Sequence, residues 1–587
     1  MARVGRDAAP YDQVSAKRLM ADVETLAGWV RLSGTPEEME SFNYVRRRLR
    51  AAGCSTRLIL HDSLISLPGK ASLLIIPSRG QGAPVACITH SFAAGTGPEG
   101  IEALAVYAGS GRSAELAAAH PAGKIAVVDG LATPDRVHAA ETAGAVGLIF
   151  LNRDPLVHEM IVSPVWGSPT PEGVRKLPGV PVVSVAQPEG DILRKSVAAG
   201  ELRARITAQG DTRWRKIPLL TADLPGEVED TFVLLAGHLD SWHRGAMDNA
   251  TANATMIEVA RVLARTRRYR GVRLAFWSGH SHGRYSGSTW YADHHWQELD
   301  ARCVAHVNVD SVGGRGAVIN PHAYAMPETS GVADRVIAEV TGGRFEGGRV
   351  GRAGDQSFLG VGIPSLLMSL SEQPADSANA SRDFNIRTGG ATGGLGWWWH
   401  TTEDLPDKID PDALERDCRI YLGIVHAFCT EPVLPLDYQA TASAWLRKLR
   451  ALRQGVGRRV DLRPAIAEAQ RLVTAAEVLG RLARGLRAKP RKPAVSALNN
   501  CLMALGRVLI PADHTRIGRF DHDAALEQHD TPLLDAVRAL DAAAPEAVRP
   551  LEVRAVRDLN AVQFALSLAA EITETTVREA RAEVRRR

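Results

Sequence analysis

The sequence predicts an α/β protein: a mostly parallel sheet with helices on both faces, plus an inserted α+β module and a C-terminal helical domain. Three observations predict it. Short apolar runs at 231–236, 272–277, 304–309 and 365–369 are each separated from the next by enough chain for at least one helix. Alternation of this kind specifies a parallel sheet, because every crossover lays a helix on one of its faces. Between about 82 and 212 the texture changes to short β-rich runs broken by Gly and Pro turns, and after about 436 the strand signal disappears.

Taken in order, residues 14–53 read as two helices, carried by Val14, Leu19, Val23, Leu26 and Val30 and then by Tyr44, Leu49 and Ala52. Ser33-Gly34-Thr35-Pro36 separates them, and Thr35 can cap the second helix ahead of Glu37 and Glu38. Strand-like runs follow at 57–60 and 71–76. Inside the insertion, runs at 124–128, 146–151 and 180–185 read as strands, with an amphipathic helix at 134–143. Met256, Val259, Ala260 and Leu263 form the stripe of a helix between the first two core runs. Helices are expected at 442–453, 464–486, 495–508 and 553–585. These shifts divide the chain at 1–80, 81–214, 215–435 and 436–587.

Composition narrows the classes. A chain of 587 residues exceeds one core. Its net charge of +4, from 70 basic and 66 acidic residues, gives no reason to expect nucleic acid. No apolar run approaches the ~18 residues of a membrane span, and MARVGRDAAPYDQ has no apolar leader core, so neither membrane nor export is expected. The arginines at 581 and 585–587 read as a solvated helix end. Cysteines at 54, 87, 303, 418, 429 and 501 form no Cys-x-x-Cys pair, which fits a reduced, cytoplasmic protein.

The chemistry lies where the apolar runs stop. The first ends in Gly237-His238-Leu239-Asp240, with Asp248-Asn249 shortly after. The third ends in Asp310, and a later segment reads Trp397-Trp398-Trp399-His400-Thr401-Thr402-Glu403-Asp404. Two histidines and two aspartates at strand ends suit zinc, which takes imidazole nitrogen and carboxylate oxygen. Asp240, two residues past His238, is placed to orient that imidazole.

His238-Leu239-Asp240 followed by Gly245-Ala246-Met247-Asp248-Asn249 resembles the first metal motif of the zinc exopeptidase family, which contains bacterial aminopeptidases, glutamate carboxypeptidase and the catalytically silent transferrin receptor. Asn308-Val309-Asp310-Ser311 resembles the third metal motif, and His400-Thr401-Thr402-Glu403-Asp404 the last. Gly354-Asp355-Gln356-Ser357-Phe358 resembles the stretch before the final core strand. The insertion resembles a protease-associated domain, and the helical tail stands where the glutamate carboxypeptidase branch has its dimerisation domain. The resemblance implies one or two zinc ions, with Asp248 bridging a pair, His238 and Asp310 on one ion and His400 on the other. It further implies a peptide or amide-conjugate substrate and a homodimer.

One segment departs from the family. Where the family places two adjacent glutamates, a general base and a metal ligand, this chain reads Ser278-Gly279-His280-Ser281-His282-Gly283, with no carboxylate between Arg273 and Ala292. Counted from the strand, His280 takes the base position; counted back from Gly287-Ser288, His282 takes the ligand position. Histidine can do both jobs, having an ordinary pKa near ~6.5 and a nitrogen that binds metal. The preferred assignment is His282 on metal and His280 carrying the proton. Arg244, Arg284, Arg382 and Arg387 are candidates for a substrate carboxylate, and 397–399 for an apolar wall. The expectation is therefore a zinc-dependent exopeptidase-like hydrolase of an amide or peptide bond. A non-catalytic binding or assembly protein resembling the transferrin receptor is the alternative.

Overall fold

A strand apolar on both faces must be covered on both sides, and Phe232–His238 is built this way up to its terminal histidine, every residue of it buried. The computed structural model describes residues 8–77, 81–199, 202–367, 369–456 and 459–585. In it, Ser365–Leu366, Cys303–Asn308, Phe232–His238 and Gly271–Trp277 lie side by side in that order, every pairing parallel. Alternate residues of Phe232–His238 face opposite cores. Val233 and Leu235 meet helix Ala252–Leu263 on one side, while Phe232, Leu234 and Ala236 meet Tyr291 and Leu299 on the other. The fourth run is shorter than expected, pairing only through Ser365–Leu366, and Met368 within it lies outside the described residues. Parallel register brings His238 level with Trp277, and Asn308 level with Ala236, so these strands release their polar residues at one edge.

The two runs at 57–60 and 71–76 belong to one strand, Ser55–Pro77, paired antiparallel along its length with Leu202–Leu224. Leu224 and its neighbours pair with Gly271–Trp277, and the other end of the ribbon pairs with Ile101–Tyr107. Ile125–Asp129, Gly147–Leu151 and Val182–Val185 continue the series in parallel. The insertion is thus an extension of a single 12-stranded sheet, and the division drawn at 214 falls inside Leu202–Leu224. Exposed residues in the middle of the ribbon, where Gly69 and Lys70 face Gln209, hide the strand from an apolar-run reading.

The tail forms helices Tyr438–Val456, Arg463–Ala488, Lys492–His514 and Pro545–Arg585. Lys492–His514 is apolar and long enough to cross a membrane, the only such helix among the described residues. Its Leu498, Leu502, Leu505 and Leu509 are instead buried in the core. The N-terminal residues 1–7 read above for a leader, and Arg586 and Arg587, lie outside the described residues.

Among the side chains that tie this tail to the rest of the chain, Arg507 makes the most bonds to backbone carbonyls next to the sheet. Arg507 is buried and donates to the carbonyls of Gly362 at 2.9 Å, Asp300 at 2.9 Å, Leu299 at 3.0 Å and Cys303 at 2.6 Å. Removing it takes a donor from each of those oxygens, of which Leu299 O keeps the backbone N–H of Cys303, and a buried acceptor left short of donors is costly. Arg507→Met, which keeps the apolar stem, should therefore destabilise the protein by roughly 3 kcal/mol. Calorimetry showing an unchanged melting temperature would contradict this role.

Candidate metal centre

His238 ends its strand and Asp248 sits on the following loop, which Gly245 makes possible. Gly245 has φ +51°, and a Cβ there would collide with the carbonyl of Asp248. Buried Arg31 fixes the same loop, donating to Leu239 O at 2.8 Å, Arg244 O at 2.8 Å and Gly245 O at 2.9 Å. Asp404 completes the support, accepting from Met247 N at 2.7 Å and Asp248 N at 2.9 Å. Asn249 Oδ1 accepts from Ser311 N at 3.0 Å and so ties this loop to the one carrying Asp310.

Asp248 therefore stands between two imidazoles. His238 Nε2 lies 3.0 Å from Asp248 Oδ1, and His400 Nε2 lies 2.8 Å from Oδ2. Asp310 Oδ1 is 3.7 Å from His238 Nε2. The structure thus brings His238, Asp248, Asp310 and His400 together. His280 joins them from the departing segment. Its ring stacks on His238 with centroids 3.7 Å apart, and ligand atoms of His238, His280 and Asp310 lie within 4.8 Å of one another.

Each ring is held through Nδ1. His238 donates there to Asp240 O at 2.9 Å, His400 to Glu159 O at 2.6 Å, and His280 faces Asp355 Oδ2 at 3.0 Å. A proton fixed on Nδ1 leaves Nε2 with its lone pair free for a metal or a proton. The backbone carbonyl of Asp240, closer than its carboxylate at 3.6 Å, is what orients His238. That carboxylate instead pins the departing segment, accepting from Ser281 N at 2.8 Å and His280 N at 3.3 Å.

His282 lies behind this group. Its Nδ1 is 3.1 Å from Ser33 Oγ, whose hydroxyl donates to Asp240 Oδ2 at 3.0 Å. Its Nε2 is buried without a hydrogen-bond partner, and the ring meets Trp242 edge-on at 4.5 Å. His238 Nε2 is likewise unsatisfied. Buried ring nitrogens that no protein group satisfies are what a metal would complete.

Electrostatics agree. Burial alone would lower His238, but Asp240, Asp248 and Asp310 outweigh it and raise the imidazole well above its usual range. Burial would raise Asp248, yet His238 and His400 hold it below the carboxylate range. Burial lowers His282 and His400, while it pushes Asp404 up to about 7 and Glu159 up to about 8. Carboxylates crowding shared imidazoles form a site that calls for positive charge.

A narrow crevice beside Asp248 is lined by Trp242, His243, Gly245, His400, Thr401 and Asp404. A larger cleft of about 360 Å³ opens at the opposite ends of the strands, around Glu227–Thr231 and Arg302, away from the imidazoles. Trp399 stacks on His400 at 3.4 Å, while Trp398 is buried. The four candidate arginines are engaged: Arg244 with Ala27 O, Arg284 over Tyr285, Arg382 with Gln187 and Arg387 over Phe384. Sequence reasoning missed Arg31, Glu159 and His243. It quoted Asp355 within a motif without seeing that it faces His280.

Residues 220–425 match peptidase family M28. The probable glutamate carboxypeptidase VP8 of Zea mays is 25% identical over 508 residues, covering 74% of this chain and 69% of its own. Aminopeptidase YwaD of Bacillus subtilis (strain 168) is 25% identical over 276 residues, 45% of this chain and 57% of its own. BSAP, a zinc aminopeptidase from Bacillus subtilis, shares the fold, with a TM-score of 0.53 at 21% identity over 72% of this chain and 96% of its own. The strand-end imidazoles and carboxylates of the matched segment meet at one point, the constellation of a zinc-dependent metallo-exopeptidase, and over residues 220–425 the chain is similar to peptidase family M28.

Proposed function

We propose that the protein hydrolyses a peptide or amide bond near a chain end, using histidine where its family uses a glutamate pair. The observation that carries this reading is Asp248, shared between His238 Nε2 and His400 Nε2. His238, Asp248 and Asp310 would hold one ion, and His400 and His282, with Asp248, would hold a second. Zinc, when bound, polarises a substrate carbonyl and makes water acidic enough to attack at neutral pH.

The protein's own part is orientation and proton movement. Asp355 holds His280 Nδ1–H, leaving Nε2 to accept a proton and later return it to the leaving amine. Asp240 keeps His280 and Ser281 in place through their backbone N–H groups. The relay from His282 Nδ1 through Ser33 Oγ to Asp240 leaves His282 Nε2 as the ligand atom. A second reading is favoured by the mutual approach of His238, His280 and Asp310 within 4.8 Å: His280 is itself a ligand, and the proton carrier lies elsewhere.

Paired variants separate the two. Parent protein should carry one to two zinc ions in this centre and cleave a short peptide. His280→Ala should lower turnover by roughly two to four powers of ten with zinc content retained, whereas His282→Ala should lose the second ion. The reverse pattern establishes the second reading. Full zinc and full turnover in both variants would make both histidines bystanders.

The proposal extends to assembly and location. Val553, Val556 and Phe564 lie exposed along Pro545–Arg585, which supports a homodimer through the helical tail. All six cysteines are free, five of them buried, which supports a reducing, cytoplasmic setting. The parallel run of Ile101–Tyr107, Ile125–Asp129, Gly147–Leu151 and Val182–Val185 supports the protease-associated likeness of the insertion. Light scattering at micromolar concentration should give twice the chain mass. A monomer mass would contradict the dimer.

A further inference from the structure

Away from the Asp248 centre, the insertion and the peptidase part meet at a second buried group of imidazole and carboxylates. Asp154 and His158 follow strand Gly147–Leu151, and Asp383 lies in helix Arg382–Arg387. One ligand atom from each lies within 4.8 Å of the others, and all three side chains are buried. His158 Nδ1 donates to the carbonyl of Trp399 at 2.6 Å, so neutral His158 has a lone pair on Nε2. Yet Nε2 faces Asp154 Oδ2 at 2.9 Å. A lone pair and a carboxylate oxygen tolerate that separation only with positive charge between them, either a proton or a cation.

Two observations favour the cation. The first is Asp383: its Oδ2 accepts from Arg153 N at 2.8 Å, but its Oδ1 is buried with no partner. A proton on His158 balances one carboxylate and leaves Asp383 only the Arg136 guanidinium, which lies beyond ion-pair distance, whereas a dication with neutral imidazole balances both directly. The second is repetition. The nitrogen–oxygen separation of 2.9 Å matches the 3.0 and 2.8 Å found astride Asp248, and at all three rings a backbone carbonyl accepts from Nδ1. Ser381 Oγ and Arg382 N also donate to Asp154, which orients the carboxylate and still leaves it lone pairs.

We propose that Asp154, His158 and Asp383 form a structural site for a divalent metal of the zinc type, which pins the insertion to the peptidase part beside Trp399 and His400. One imidazole and two carboxylates are a donor set that zinc accepts. The site is separate from the centre built on Asp248, and its occupancy is read independently of peptide cleavage.

Zinc content and melting temperature of the full chain, dialysed against zinc and then against metal-free buffer, test it. Asp383→Asn should lose one zinc equivalent relative to the parent and melt several degrees lower. Asp248→Ala should lose the zinc of the other centre and still hold one equivalent, and the double variant should hold none. The proposal is overturned if Asp383→Asn keeps the parental zinc content. It is also overturned if that variant melts above the parent, the result expected where an imidazolium pair has shed an unpaired carboxylate. Should Asp383→Asn fail to fold, Asp248→Ala decides alone: one retained equivalent supports the site and none refutes it.

Discussion

The centre depends on one carboxylate with an imidazole on each side. Asp248 reaches His238 from its own loop and His400 from a segment more than a hundred residues away, and each separation is at most 3.0 Å. Three groups arranged so, all buried, need positive charge to coexist. Much of the surrounding structure serves that placement. Arg31 gives its guanidinium to the carbonyls of the His238 loop, Asp404 takes the N–H groups of Met247 and Asp248, and Asn249 links to Ser311. Parallel register then delivers His238 and Asp310 at the same edge of the sheet, where sites assemble in such folds.

The insertion is part of this machinery as well as an extension of the sheet. Glu159 accepts from His400 Nδ1 through its carbonyl, and its own N–H donates to His400 O at 2.9 Å. His158 next to it holds Trp399 O, and Trp399 stacks on His400. The last imidazole of the centre is therefore oriented by residues of another part of the chain. A change in how the insertion sits would be felt first at His400.

Legibility followed physical scale. Short-range signals could be read directly: the apolar runs became the parallel strands, and His238, Asp248, Asp310 and His400 converge because strand ends do. Long-range partners could not. Nothing in the residues around Arg31 or Glu159 says that they close over a loop two hundred residues on, since backbone carbonyls carry no sequence identity. The Ser55–Pro77 and Leu202–Leu224 ribbon was hidden for a related reason, the exposed middle of Leu202–Leu224 lacking the apolar pattern of a core strand. At the departing segment the two counts from either end disagree by one residue. The sheet fixes where Trp277 stops, and Asp240 then fixes the turn by holding His280 and Ser281.

The most direct test of the central claim is anomalous diffraction at the zinc edge from crystals of the zinc-dialysed protein. The account predicts density beside Asp248, in contact with its carboxylate and with Nε2 of His238 or His400. Absence of anomalous density there, with the imidazoles hydrogen-bonded straight to Asp248, would contradict it.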